Sequence, residues 1–133
     1  GIDPIAVARR HLRVFVVGHG LVLAVAAAVG WALLPAIFGE AFADARDLLV
    51  LVTAAEFVLV IHLMYQALLV GFGRPKGIGL PQVVGAVVMV VFDLVMIPVW
   101  GIRGAAWACL FGFTVLAATS SVWTNRELQR IGP

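Results

Sequence analysis

Apolar residues in this chain come in four long stretches, residues 14–34, 48–70, 80–100 and 104–123, and nearly all the charges gather in the short segments between them. Each stretch is about 20 residues, the length an α-helix needs to cross ~30 Å of hydrocarbon. The pattern predicts an all-α membrane protein with four antiparallel transmembrane helices joined by short turns. A basic lead-in over 1–13 and a tail over 124–133 complete the organisation. Residues 5–13 suit either a short amphipathic helix on the membrane surface or a charged linker.

Composition agrees with the pattern. The chain is 63% hydrophobic and 12% charged, against ~25% charged in ordinary soluble domains, and one soluble core could not bury so much apolar surface. The first stretch is too long for a signal-peptide core (~7–15 residues) and has no small-residue cleavage site. Position 1 is Gly rather than Met, so the expectation is that something upstream has been removed or that the segment was excised from a longer chain. The single Cys109 rules out an internal disulfide and suits a small residue facing lipid or another helix.

The flanks give an orientation. Arg9, Arg10, Arg13, Arg74, Lys76, Arg126 and Arg130 fall on one side, and only Arg46 and Arg103 on the other, with Glu40, Asp44 and Asp47. The positive-inside rule then puts both termini in the cytoplasm, in a multi-pass protein of the cytoplasmic membrane. Trp31, Trp100 and Trp107 at outer helix ends and Trp123 at an inner one fit an aromatic belt. Pro35 follows the first stretch, Asp44 suits an N-cap with Asp47 in the first turn, Pro81 suits a helix start, and Pro98 with Gly101 ends the third helix. Small residues recur every fourth position, Gly20, Ala24 and Ala28 in the first helix and Gly104, Ala108 and Gly112 in the fourth. Such stripes let helix backbones approach closely in lipid.

Glu56, Asp93, His19 and His62 are the ionisable residues well inside the stretches. A carboxylate at a helix centre costs ~2.5–3.5 kcal/mol on insertion scales, so it requires a partner, a proton or water. Counting ~1.5 Å per residue puts Glu56 and Asp93 at matching depth, ~4–5 Å to the outer side of the midplane. There they are candidates to share a proton or a cation. His62 and Gln66, four apart, share a face of the second helix, with Glu56 turned ~120° away. That helix is therefore expected to be the most enclosed. Glu56, Asp93, His62 and Gln66 are the candidates for transport or coupling. A bland role as hydrogen-bonding partners, such as a Thr53–Glu56 pair, competes with that reading. No nucleophile–base arrangement, metal-ligand spacing or phosphate-binding glycine loop is present, so no catalysis, metal or cofactor is expected. The basic patches lack a nucleic-acid-binding face.

Two stretches carry a family resemblance. One is Phe38-Gly39-Glu40-Ala41-Phe42 after Leu-Leu-Pro. The other runs from Gln66 through Ala67-Leu68-Leu69-Val70-Gly71-Phe72-Gly73-Arg74-Pro75-Lys76, then past Asp93 to Ile97-Pro98-Val99-Trp100-Gly101-Ile102-Arg103-Gly104-Ala105-Ala106-Trp107-Ala108. The "FG" loop, "ALLxxxGRPK" turn and "IPxxGxxGAAxA" turn, in this order, resemble the C-terminal part of polysaccharide-biosynthesis flippases of the multidrug/oligosaccharidyl-lipid/polysaccharide exporter superfamily. The resemblance covers residues 10–125 and implies a carrier of twelve or more helices in two lobes, working by alternating access on lipid-linked sugars. The four helices would then be part of the second lobe, with membrane lipids, a lipid-linked sugar and the remaining helices of the parent transporter as partners. Where the family commonly has Asn, this chain has Asp93. Two other readings are a small four-helix proton-coupled drug exporter acting as a dimer through Glu56, and a non-transporting membrane scaffold subunit.

Overall fold

Three glycines set where the helices stop. Gly39, Gly73 and Gly101 have φ of 88°, 71° and 56°, a region that side-chain-bearing residues rarely adopt. The computed structural model describes residues 4–130; the ends of the lead-in and tail, 1–3 and 131–133, lie outside the described residues. It contains α1 (Pro4–Phe38), α2 (Ala45–Gly71), α3 (Gly79–Trp100) and α4 (Ile102–Gln129), with 3-10 turns at Glu40–Phe42 and Pro75–Gly77 and no strand among the described residues. All four helices are long and apolar enough to cross a membrane.

The helices outrun the apolar stretches. Residues 4–13 are helical and continuous with the first span, because no glycine or proline interrupts the sequence between Pro4 and Gly18. Pro35 lies inside α1 rather than after it, and the Gly39 N–H donates to the Pro35 carbonyl at 2.8 Å. Asp44 precedes α2 without a capping hydrogen bond from its side chain. Pro98 sits in the last turn of α3, and the stop comes at Gly101, whose N–H donates to the Ile97 carbonyl at 2.8 Å.

Contacts between helices fix their directions. Gly104 lies against Met96, Gly112 against Met89, Gly85 against Leu116 and Gly77 against Trp123, so α3 and α4 run antiparallel along their whole length. Gly20 meets Phe57 and Gly30 meets Leu49, which makes α1 and α2 antiparallel too. α4 packs along both α2 and α3, while α1 rests on α2. The row is therefore α1–α2–α4–α3.

Of the two inner helices of this row, α4 rather than α2 is the more enclosed. Ten residues of α4 are buried, among them Gly104, Ala108, Gly112 and Leu116, against three of α2. The reason lies in side-chain size. Small residues on α4 bring the α3 backbone close enough that a Cβ on Gly104 would fall on the Met96 carbonyl, and one on Gly112 would lie 2.8 Å from the Met89 Cβ. Phe92, Phe111 and Trp107 stack beside this seam with ring centroids 5.2 and 5.8 Å apart.

The assembly leaves much apolar surface uncovered. The accessible surface is 8445 Å², against about 6,700 Å² expected for a compact water-soluble monomer of this mass. Val17 and Leu21 on α1 and Leu94 and Val99 on α3 are among the most exposed side chains. In water such a surface would drive association; in a bilayer, lipid or further helices can cover it. The chain is an all-α, multi-pass membrane protein.

Candidate functional site: a polar seam between α2 and α4

Two polar side chains one turn apart on α2 meet one on α4. His62 is buried, with its Nδ1 2.6 Å from Ser120 Oγ and its Nε2 2.7 Å from Gln66 Nε2. The Gln66 amide donates to Nε2, which leaves Nδ1–H to donate to the Ser120 hydroxyl. That assigns a neutral imidazole of one tautomer, with both ring nitrogens satisfied. A satisfied buried network of this kind ties two helices in one register. Through these contacts it joins α2 to α4.

The polar line continues along α4. Thr124, one turn after Ser120, is 0% exposed, and its Oγ1 has no hydrogen-bond partner among the described residues. Glu127 follows on the same side and is also buried. Arg130 Nη1 donates to its Oε1 at 2.8 Å, and Arg74 Nη1 stands 3.7 Å from its Oε2. Arg74 belongs to the turn between α2 and α3, so the carboxylate joins that turn to the end of α4. Beside it, Arg74, Lys76, Trp123 and Glu127 line a hollow of about 490 Å³. Gly77 lies directly under the Trp123 indole, whose Nε1 a Cβ there would approach to 2.7 Å.

The opposite end is held differently. Arg46 Nε donates to the Trp31 carbonyl at 3.0 Å, with the guanidinium 4.2 Å from the Trp31 ring centroid. Arg103 and Asp47 form an exposed pair at 3.7 Å. The first contact fastens α1 to α2, and the second fastens α2 to α4.

Glu56 and Asp93 are not brought together. Glu56 is exposed on α2, and Asp93 is half-buried on α3. Their two helices flank α4, and no hydrogen bond or ion pair joins them among the described residues. Thr53 does not reach Glu56 but donates to the Leu49 carbonyl at 2.7 Å. No cluster of three or more His, Cys, Asp or Glu fit to hold a metal occurs among the described residues. His19, on α1, stacks on Phe15 with centroids 5.7 Å apart, and its buried Nε2 has no partner among the described residues.

The small-residue stripes also part company. Gly104, Ala108 and Gly112 are all buried, Ala108 at 0% exposure, whereas Ala24 and Ala28 lie exposed and only Gly20 of that stripe lies against a neighbour, Phe57. Sequence reasoning found His62 and Gln66 but missed Ser120, Thr124 and Glu127. Their signal was present: polar residues at intervals of four and three on the least apolar of the four spans, the spacing of one helical face.

No protein-family model matches this chain, and no curated protein or solved structure shows detectable similarity to it.

Proposed function

We propose that this chain is a segment of a membrane flippase or exporter that moves lipid-linked oligosaccharide or polysaccharide precursors across the cytoplasmic membrane. The observation that carries this reading is the order and construction of the three turns. Each motif in the family resemblance holds one of the three positive-φ glycines, Gly39, Gly73 and Gly101, in the family's order. The "GAAxA" element includes Gly104, which lies against the Met96 backbone, and the fully buried Ala108. Motif residues therefore coincide with the positions where backbone geometry tolerates the fewest substitutions. The uncovered faces of α1 and α3 suit further helices of a two-lobed carrier.

The seven basic residues at the Arg74–Glu127 end support, by the positive-inside rule, a reading in which that end and both termini are cytoplasmic. Single cysteines at Glu40 and Arg103 in a Cys109→Ser background should label from outside intact cells, while one at Lys76 should not. The transport reading is tested by deleting the coding gene in its host and following radiolabelled polyprenyl-diphosphate-linked saccharide. Accumulation in the cytoplasmic leaflet, reversed by complementation, is the expected result. Unchanged leaflet distribution and unchanged envelope polysaccharide would end the proposal.

A further inference from the structure

At the basic end of the bundle, on the side of α4 away from the Arg74–Glu127 hollow, lies a second cavity of about 270 Å³. Three helices supply its polar wall: Arg9 and Arg13 from α1, Tyr65 from α2, and Thr124 and Asn125 from α4. Every one of these side chains can donate a hydrogen bond, and no carboxylate lines the cavity. Arg9 and Arg13 form no ion pair among the described residues. Glu127, one residue from the lining Leu128, is already engaged by Arg74 and Arg130. Thr124 adds an independent sign of an absent partner, since its Oγ1 is buried without one.

One leucine from each helix, Leu12, Leu68 and Leu128, completes the wall. A donor-rich mouth over an apolar base fits a phosphate that carries hydrocarbon. The volume is just below the ~300–1,000 Å³ of pockets that enclose whole drug-sized ligands, which suits a headgroup whose acyl chains stay in the bilayer. Basic pockets between membrane helices at the cytoplasmic face are known to take anionic headgroups. We propose that this cavity binds the phosphate of an anionic phospholipid, with Arg9 and Arg13 as its principal ligands and Tyr65, Thr124 and Asn125 as hydrogen-bond donors. The site rests on membrane embedding and on the cytoplasmic reading of this end, and stands whether or not the chain takes part in transport.

Native mass spectrometry of the chain released from nanodiscs tests it. In discs containing phosphatidylglycerol and phosphatidylcholine, the wild type should retain phosphatidylglycerol. Arg9→Ala and Arg13→Ala should each lower the bound fraction about five-fold, the factor corresponding to ~1 kcal/mol per basic residue at a membrane surface. Arg10→Ala removes the same charge from a position that does not line the cavity, and should retain the lipid. Thr124→Val should weaken retention without changing circular dichroism. Equal retention in the wild type and the Arg9→Ala/Arg13→Ala double variant would overturn the site, as would equal loss in Arg10→Ala and Arg13→Ala. Saturation by inorganic phosphate without retention of phosphatidylglycerol would overturn the lipid assignment in favour of a soluble anion.

Discussion

Two helices of this protein carry the same device and use it differently. On α4, Gly104, Ala108 and Gly112 are buried against α3 so tightly that backbone meets backbone. On α1, the equally regular Gly20, Ala24 and Ala28 leave both alanines exposed, and the helix is held by Gly20 under Phe57, Gly30 under Leu49 and the Arg46–Trp31 contact. A small-residue stripe therefore permits close approach without causing it. What distinguishes α4 is a partner forced alongside by a one-residue turn at Gly101. α1 reaches α2 through the longer connection over residues 39–44, and of its stripe only Gly20 is brought to bear on α2.

The sharpest way to break this comparison is to enlarge both stripes. Gly104→Leu should cost more than the ~1–3 kcal/mol usual for overpacking, because the obstacle is the Met96 carbonyl and not a movable side chain. Gly112→Leu, against the Met89 side chain, should cost somewhat less. Ala24→Leu should change stability by less than ~0.5 kcal/mol, as surface substitutions generally do. Thermal unfolding in one detergent measures all three. A comparable loss in Ala24→Leu would mean that something packs on α1 in the assembled protein.

Smaller effects sharpen the account of α4. Ser120→Ala removes the acceptor of the buried His62 Nδ1–H, so a loss of ~1–3 kcal/mol is expected. Ser120→Thr should restore part of it. Glu127→Gln keeps the shape but weakens contacts to the half-exposed Arg74 and the largely exposed Arg130, for roughly 1 kcal/mol. Salt should narrow the difference between that variant and the wild type. Least of all, Asp47→Asn should cost no more than ~0.5 kcal/mol, since both members of its pair with Arg103 are largely exposed.

The sequence-level reading was most successful where the determining pattern is local. Four spans follow from composition over about 20 residues, and the Gln66–His62 contact follows from an interval of four on one helix. Helix ends were harder to read. They depend on where the chain can reach a positive φ, so α1 passes through Pro35 to Phe38, and α4 continues six residues beyond the apolar stretch. Neighbour order was the least accessible. Ser120 lies 58 residues from His62, and nothing local to either indicates that α4, the least apolar span, packs between α2 and α3. Glu56 and Asp93 show the same limit. Their depth could be counted along each helix, but the direction each faces depends on which neighbours the fold supplies.

The unbroken course of α1 has a mechanical consequence. Thirty-five residues in one helix make a rod about 52 Å long, well beyond the ~30 Å of the hydrocarbon layer. The helix is continuous and has no proline between residues 5 and 34, so a tilt of its membrane portion as one rod is carried to the basic end. A change of about 10° in tilt, pivoting at the far end, displaces that tip by ~9 Å. Such a lever converts a small adjustment among packed helices, or a change in bilayer thickness, into a displacement wider than a headgroup contact.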